Sequence, residues 1–363
     1  MIDEGDEGVA LELSAEFFQR LRGSVAEAAG RKGPDHVDVL SLRANQVMFH
    51  LMAASALRSR GDDAEDLLEA VVRELQAILA GYEAALGPES VQTLMVCTQL
   101  AGACHAAARN AEAISYYERA LTGYERKLGR DATETLTTLH DLAKVCRAEG
   151  QTERAVALLE EAVAGSRRSL GPECEESRER AMQLFTAYLD ARRYPEALAL
   201  GRQLLGEHER YFGADHLRTF AFMSDLGVAH HEAGDPQRAL EWYERALAGI
   251  VPFCGPDHSV VVAVRRDLAV AYLDVARPAD AIEPLLANLD TYQRLQHPDH
   301  AVIHDTRHRL ARAYRQAGQH AEAAAAFERL LTDFLRVNGV DHPAVPDLRA
   351  EAERAWSDAD ARR

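Results

Sequence analysis

Apolar residues recur at helical spacing along most of the chain, and short polar breaks interrupt them at regular distances. This pattern is typical of amphipathic helices that bury one face. Residues 259–295 show it clearly, because two apolar stretches flank the polar break Ala276-Arg277-Pro278. The pattern predicts an all-α protein built from repeated units of helix, turn and longer helix.

A short junction sequence marks the start of each unit. It reads Gly-Pro-Asp-His at residues 255–258, and related sequences stand 42 residues earlier and later, at 213–216 and 297–300. From Gly87 onward this period holds without an insertion, and units begin at 87, 129, 171, 213, 255 and 297. A period of this length indicates a solenoid, in which each unit packs only on its neighbours.

The junction residues have a physical role in ending one helix and starting the next. Gly is expected to close the first helix in the left-handed conformation, and Pro is tolerated at the start of the following one. An acidic residue after the glycine is favoured by the free N–H groups and the dipole of the new helix. These acids are Glu89, Asp131, Glu173, Asp215, Asp257, Asp299 and Asp341.

The two ends of the chain depart from the period. Residues 1–32 combine an acidic tail with a predicted capping helix at 9–29, and residues 33–86 form an irregular first repeat with helices at about 37–59 and 63–85. The six regular repeats follow, so the predicted solenoid spans residues 33–338. Residues 339–363 are expected to form a carboxyl-terminal capping helix, at about 344–359, and a polar tail.

Small and large residues alternate within the predicted helices. Leu-Ala recurs on the first helix of the units, as at Leu268-Ala269, and Tyr272 follows four residues after the Leu. On the second helix the same position is always alanine: Ala113, Ala155, Ala197, Ala239, Ala281 and Ala323. Small residues let two helices approach closely, so this alternation predicts tight helix pairs.

These motifs resemble the tetratricopeptide repeat (TPR), and the 42-residue period with its Gly-Pro-Asp-His junction is similar to the kinesin light chain variety. The resemblance covers about residues 33–355. It implies a right-handed α-α superhelix of about seven helix pairs with terminal capping helices. It further implies that the first helices line a concave groove that binds an extended or helical peptide.

The resemblance also suggests which residues face a partner. The family often carries Asn just before Leu-Ala on the first helix, where it contacts the peptide. The corresponding residues here are Asn45, Gln99, Asp141, Gln183, Asp225, Asp267 and Arg309, of which Asn45 alone keeps the family residue. Gln and Asp retain hydrogen-bonding groups, so we expect this ladder to hold the backbone of a partner peptide.

Basic residues concentrate on the first helices of the last two full repeats. The cluster comprises Arg265, Arg266, His308, Arg309, Arg312 and Arg315. Guanidinium groups suit a carboxylate or a phosphorylated group, because Arg offers a bidentate fork. The alternative is a solvated helix face, on which these residues pair with Asp267, Asp305 and Glu322.

A metal site is the less favoured interpretation of the step His300, His304, His308. Histidines four residues apart on a helix can share a metal. However, His300 is the junction histidine that also occurs at 36, 216, 258 and 342, and His304 takes a position filled by Leu94 and Leu136 elsewhere. We therefore predict a capping role for His300, a packing role for His304, and neither a metal nor a cofactor.

Composition narrows the function further. A net charge of −17 disfavours nucleic acid as a partner, and no apolar stretch approaches the ~18 residues of a membrane span. The amino terminus lacks the basic start of a secretory signal, and the five cysteines form no Cys-x-x-Cys pair, which favours a cytoplasmic protein with reduced thiols. No nucleotide-binding or nucleophile motif occurs, so we do not expect an enzyme.

The favoured hypothesis is an intracellular scaffold that binds a protein or peptide in its groove, with an anionic segment or carboxyl terminus as one form of partner. The main alternative is a regulator whose superhelix changes shape when it binds a small ligand or signalling peptide. An enzyme that uses the His and Arg cluster is the least favoured. Self-association stays open.

Overall fold

The computed structural model describes residues 23–59, 63–295 and 300–360. Residues 23–32 are helical, and the other helices of these ranges are numbered here from α1. They are α1 (Val37–Ser59), α2 (Glu65–Leu86), α3 (Val91–Ala106), α4 (Asn110–Leu128), α5 (Thr133–Ala148), α6 (Thr152–Ser169), α7 (Glu175–Asp190), α8 (Tyr194–Tyr211), α9 (Leu217–Glu232), α10 (Pro236–Cys254), α11 (Ser259–Asp274), α12 (Pro278–Leu295), α13 (Ala301–Gln316), α14 (His320–Asn338) and α15 (Val345–Asp360). No strand occurs in the described ranges, so the all-α prediction is confirmed.

The chain divides into two compact units, Met1–Ala191 and Arg192–Arg363. In the first unit, the helices α1 to α7 pack in chain order, each on the next. In the second unit, α8 to α15 do the same. Neighbouring first helices also touch, as α3 and α5 do in the first unit and α9 and α11 in the second. Each unit is therefore a stack of helix pairs, as expected of a solenoid.

The predicted helices lie close to the observed ones. The irregular first repeat forms α1 and α2 at the expected positions, and the last helix, α15, ends within a residue of its predicted end. Most of the predicted capping helix at 9–29 lies outside the described residues; its described part is helical and continues to residue 32. The predicted boundaries between tail, solenoid and cap remain a prediction.

The core follows the alternation of large and small side chains. The alanine at the fixed position of every second helix is fully buried, from Ala113 to Ala323. Gly249 on α10 is packed even more closely, because an added Cβ would lie 2.3 Å from the ring of Phe220 on α9. The equivalent glycines Gly123 and Gly165 lie equally close to leucine side chains of α3 and α5. Such contacts explain why these positions lack a side chain.

The junction glycines correct one expectation. Their φ angles are positive, between 77° and 101°. Their ψ angles, however, are 162° at Gly87 and 169° at Gly339, far from the left-handed helical value. This extended region at positive φ is accessible almost only to glycine. The glycine thus ends the helix and immediately directs the chain into the extended start of the next repeat.

The junction histidines cap the helices that follow them, as predicted. In His258 the Nδ1 atom accepts the backbone N–H of Val260 at 3.3 Å, and His300 does the same for Val302. His36, His216 and His342 make the equivalent bond. An N-terminal cap satisfies one of the N–H groups that have no partner within the helix.

The turn inside each regular repeat contains, at a fixed position, one residue in the left-handed backbone conformation. Glycine occupies it at Gly150, Gly234 and Gly318, whereas Ala108, Arg192 and Ala276 adopt φ of 56–58° without being glycine. At Ala276 the turn is closed by a hydrogen bond from Arg277 N–H to the Tyr272 carbonyl, at 2.8 Å. This pairing is that of a Schellman turn.

All five cysteines are free. Cys97 and Cys104 on α3 and Cys146 on α5 are buried, and burial raises the pKa of Cys97 and Cys104 to about 11. Cys174 and Cys254 are half-buried near the junctions. The first three thiols therefore serve as core residues, which confirms the packing role predicted for Cys97 and Cys104.

Candidate functional site

The residue before Leu-Ala recurs at one fixed position of the first helices, on the face that the family resemblance predicts to meet a partner. We call this predicted face the open face. Gln99, Asp141, Gln183, Asp267 and Arg309 are half-buried there, and Asn45 and Asp225 are exposed. The first unit carries Asn45, Gln99, Asp141 and Gln183, and the second unit carries the others.

On the open face of the first unit, polar atoms remain without internal partners. The Oε1 atom of Gln99 on α3 is buried and forms no hydrogen bond, and the Nδ1 atom of His140 on α5 is in the same situation. Buried polar atoms are nearly always hydrogen-bonded in folded proteins. These two atoms lie on neighbouring first helices and are shielded from solvent, so a ligand can pair with them only when the two side chains rotate outward.

Asp141 and His140 have shifted pKa values for the same reason. Burial raises the pKa of Asp141, although His140, Lys144 and Arg180 oppose the shift. Burial lowers the pKa of His140, because the charged imidazolium is disfavoured where water is scarce. A neutral imidazole offers one nitrogen as donor and the other as acceptor, so His140 can bind either kind of group.

Gln183 on α7 is already engaged. Its Oε1 atom accepts a hydrogen bond from Arg147 Nη1 at 3.3 Å, and its Nε2 atom donates to Glu179 at 3.2 Å. Arg147 also donates from Nε to Asp190 at 2.8 Å. Gln183 thus belongs to a hydrogen-bond network between α5 and α7. A partner peptide that binds Gln183 would have to share its amide group with Arg147 and Glu179.

Arg180 is a candidate that the ladder of predicted residues did not include. It lies on α7, is 6% exposed, and donates to Ser166 and to Thr137, each at 3.1 Å. Within the described part of the chain, no carboxylate lies within ion-pairing distance of it, and burial lowers its pKa. A buried guanidinium without an acidic partner is unusual.

The sequence did contain a signal for Arg180. The equivalent position in the other regular repeats is filled by Val96, Thr138, Phe222, Val264 and Thr306, and all five are buried. Arg at this position is therefore an exception to an otherwise buried and mainly apolar row. A charged residue at a position that is uncharged in the other regular repeats is therefore the sequence signal for Arg180.

The second unit carries two acidic ladder residues with different surroundings. Asp225 on α9 keeps contact with solvent, yet the protein around it raises the pKa of its carboxyl group to about 6 by desolvation. Asp267 on α11 accepts a hydrogen bond from Arg266 Nε at 2.9 Å. Asp225 is thus the ladder residue whose charge depends on pH near neutrality.

The residues of the predicted basic cluster have separate contacts in the structure. Arg266 and Arg309 pair with Asp267 and Asp305, and His308 pairs with Glu351 at 2.7 Å. The guanidinium of Arg265 instead reaches the Pro256 carbonyl at the junction, and that of Arg315 lies over the Phe327 ring at 5.8 Å. Arg312 is exposed on α13. The two ion pairs are those that the solvated-face alternative proposed.

The three histidines at the start of α13 and within it have separate roles. His300 caps the helix, His304 is buried with its ring edge-on to Phe334 at 6.2 Å, and His308 bonds to Glu351. No group of three or more potential ligands that could hold a metal is found among the described residues. A helix apolar and long enough to cross a membrane is likewise not found in the described ranges.

The fold and its open face define a helical-repeat protein. One model of the tetratricopeptide repeat matches residues 93–168 and 177–250, and a second model of this repeat matches residues 305–344. Together these matches take in more than half of the chain. The chain belongs to the tetratricopeptide repeat family, which consists in general of scaffolds for protein interaction. No curated protein matches the sequence.

Solved structures agree with this assignment. Nearly identical TPR-like repeats of a Podosopora anserina protein described as a kinesin light chain are 26% identical, with a TM-score of 0.50. The match covers 56% of this chain and 96% of that one, which supports kinesin light chain-like repeats. A TPR protein from Cytophaga hutchinsonii, 12% identical, matches 82% of this chain and 98% of its own with a TM-score of 0.52, and shows the fold alone. BtubC (BKLC) from P. vanneervenii does the same, at 19% identity, 65% and 92% coverage and a TM-score of 0.50.

Proposed function

We propose that the chain is a non-enzymatic, cytoplasmic scaffold that binds an extended peptide along the open face of its first helices. The observation that supports this most directly is the pair of buried polar atoms without partners, Gln99 Oε1 and His140 Nδ1. Leaving such an atom unpaired costs about 1–3 kcal/mol. A peptide that supplies the missing partners would recover that cost on binding.

The residue types indicate how the peptide is held. Gln99 Oε1 accepts a hydrogen bond, so it suits a backbone N–H group of the partner. Neutral His140 suits an N–H or a carbonyl, depending on its tautomer. Because backbone groups occur in every peptide, these contacts hold the chain in place without reading its sequence. Asp141 and Gln183 extend the same row.

Selectivity then comes from Arg180. Its guanidinium has hydroxyl partners, Ser166 and Thr137, and no acidic partner in the described part of the chain. An acidic side chain of the peptide that reaches Arg180 beside the exposed Thr137 would supply the missing countercharge. The anionic segment expected at Arg309 is thus proposed to bind in the first unit, because Arg309 is already paired with Asp305.

Peptide selection tests this proposal. Peptides are selected by phage display on the wild-type chain, and their affinities are compared for Gln99→Leu with His140→Leu, for Arg180→Gln, and for the control Gln237→Leu on the exposed side of α10. We expect the first double variant to lose at least about tenfold in affinity, equivalent to about 1.4 kcal/mol. Arg180→Gln should remove the preference for acidic residues, and the control should change neither.

The contrary results are equally clear. Selected peptides that bind the Gln99 and His140 variant as tightly as wild type, with helicity unchanged in both, would refute the open-face site. A loss confined to Arg309→Glu with Arg312→Glu would place the site in the second unit.

A second candidate function is the ligand-sensing regulator. A cavity between α13, α14 and α15 of the second unit favours it. Compaction of the protein when the ligand is added, measured by small-angle scattering, would support this function.

A further inference from the structure

A cavity of about 540 Å³ lies between α13, α14 and α15, at the carboxyl-terminal end of the second unit. Apolar side chains line much of it, including Leu330, Phe334 and Leu348. Its volume falls within the range of pockets that bind small organic molecules. None of the residues proposed to hold a peptide in the first unit takes part in it.

One wall of the cavity carries a packing pair that differs from that of three earlier repeats. In α9 and α10 the ring of Phe220 fills the space above Gly249, and Leu94 and Leu136 do so in two earlier repeats. The corresponding residues here are His304 and Asp333. Asp333 pairs with Arg307, and the smaller imidazole turns its edge to Phe334.

Among the described residues that line the cavity, the carboxylates are Asp305, Asp347 and Glu351, and neither Lys nor Arg is present. Arg309 neutralises Asp305 from outside, and His308 bonds to Glu351. Asp347, near the start of α15, forms no ion pair with a described residue and is exposed. An apolar cavity with an unneutralised carboxylate at its rim is complementary to a cation with an apolar body.

The aromatic lining favours the same class of ligand. Phe334 lies on the cavity wall, with the rings of His304 and His342 edge-on to it at 6.2 Å and 5.0 Å. The face of a phenylalanine ring carries negative potential and attracts an ammonium group within about 6 Å. An aromatic side chain at the wall and the carboxylates of the lining thus both favour a cationic ligand, whereas the carboxylates would repel an anionic one.

We propose that this cavity binds a small organic cation, an aryl- or alkylammonium. Its apolar body lies against Leu330, Phe334 and Leu348, and its ammonium group is held at Asp347. The site draws on α13, α14 and α15 together, so a bound ligand stabilises the docking of the last helix onto the last repeat. It is independent of the peptide site proposed on the open face of the first unit.

Calorimetric titration with three probes of matched size tests the proposal on the full chain. The probes are 2-phenylethylammonium, 3-phenylpropionate and 2-phenylethanol. We expect the ammonium compound to bind at least tenfold more tightly than the other two, and more weakly as salt is added, because part of the attraction is electrostatic. Equal binding of the alcohol would show that the carboxylate plays no part, and no binding of the ammonium compound would overturn the site.

Matched variants locate the binding. Asp347→Asn is expected to weaken binding of 2-phenylethylammonium at least fivefold, whereas Asp341→Asn, exposed before α15 and outside the cavity lining, should leave it unchanged. Ala301→Phe, at an exposed position of the lining, should block binding while the circular dichroism spectrum is retained. Unchanged affinity in Asp347→Asn, or an equal loss in Asp341→Asn, would contradict the assignment.

Discussion

Arg294, in the last turn of α12, forms two parallel hydrogen bonds to Asp257, at the junction that opens the same repeat: Nη1 to Oδ2 at 2.7 Å and Nη2 to Oδ1 at 2.6 Å. Arg168 donates from Nε and Nη2 to Asp131, and Arg126 donates from Nη2 to Glu89, and in each case the arginine follows the acid by 37 residues. The junction acid was expected to stabilise the N-terminus of the helix that follows it. These ion pairs also connect the start of a repeat to the end of the same repeat.

Asp257→Asn is expected to change how stability depends on pH. Hydrogen bonds from Arg294 and Thr291 lower the pKa of Asp257 to about 2. Because the folded-state pKa is the lower one, the stabilisation is present above the unfolded value near 4 and is lost as pH falls toward 2. The variant should therefore lose part of the wild-type decline in melting temperature between pH 4 and 2. Since the pair is exposed, the difference should also shrink in high salt; a decline identical to wild type would contradict the pairing.

Gly249→Ala and Gly206→Ala should have opposite effects. An added Cβ at Gly249 would overlap the Phe220 ring, whereas at Gly206 it meets nothing within 4 Å. We expect Gly249→Ala to destabilise by about 1–3 kcal/mol and Gly206→Ala to stabilise by up to about 1 kcal/mol. Urea denaturation of both variants measures this. Equal shifts would mean that α9 and α10 are less closely packed at Phe220.

Ala276→Gly should stabilise the protein. Ala276 adopts φ of 57°, which costs an L-residue about 1–2 kcal/mol, and glycine avoids that cost while it adds freedom to the unfolded chain. The expected net gain is about 0.5–1 kcal/mol. The reverse change at the equivalent position, Gly234→Ala, should lose a similar amount, and a gain there would show that the turn tolerates side chains freely. Thermal melts of the two variants decide this.

Asp225→Asn should be most stabilising at high pH. The pKa of Asp225 is raised to about 6, so the carboxyl group contributes fully to stability below its unfolded value and loses that contribution as pH rises through about 6. The variant should therefore gain melting temperature relative to wild type at pH 8 and not at pH 4. Carbon-13 NMR titration of the carboxyl group gives the pKa itself, and a value near 4 would remove the basis of this expectation.

Most of the fold could be predicted from the period. Gly87 and its equivalents mark the junctions because almost no other residue adopts positive φ with extended ψ, and alanines such as Ala239 mark where helices approach. The value of ψ at the glycines could not be predicted, because glycine enters two regions at positive φ and the sequence does not distinguish them.

The site was less predictable, because it depends on which side chains find partners. The ladder from Gln99 to Arg309 could be placed by register alone. The pairing of Arg309 with Asp305 and the turn of Arg265 toward the Pro256 carbonyl depend on rotamers that spacing does not determine. Arg180 was missed because the partner-facing positions were inferred from the family. Position 180 is three residues before Gln183 and is not one of those positions.

The buried cysteines make the local opening of individual repeats measurable. Cys97 and Cys104 on α3 and Cys146 on α5 are shielded from reagents in the closed helices, and as free thiols they react once a helix pair opens. In a stack whose elements contact only their neighbours, opening can begin locally. The rate of thiol labelling under native conditions therefore measures how often the second and third repeats open on their own, without any label having been added to the chain.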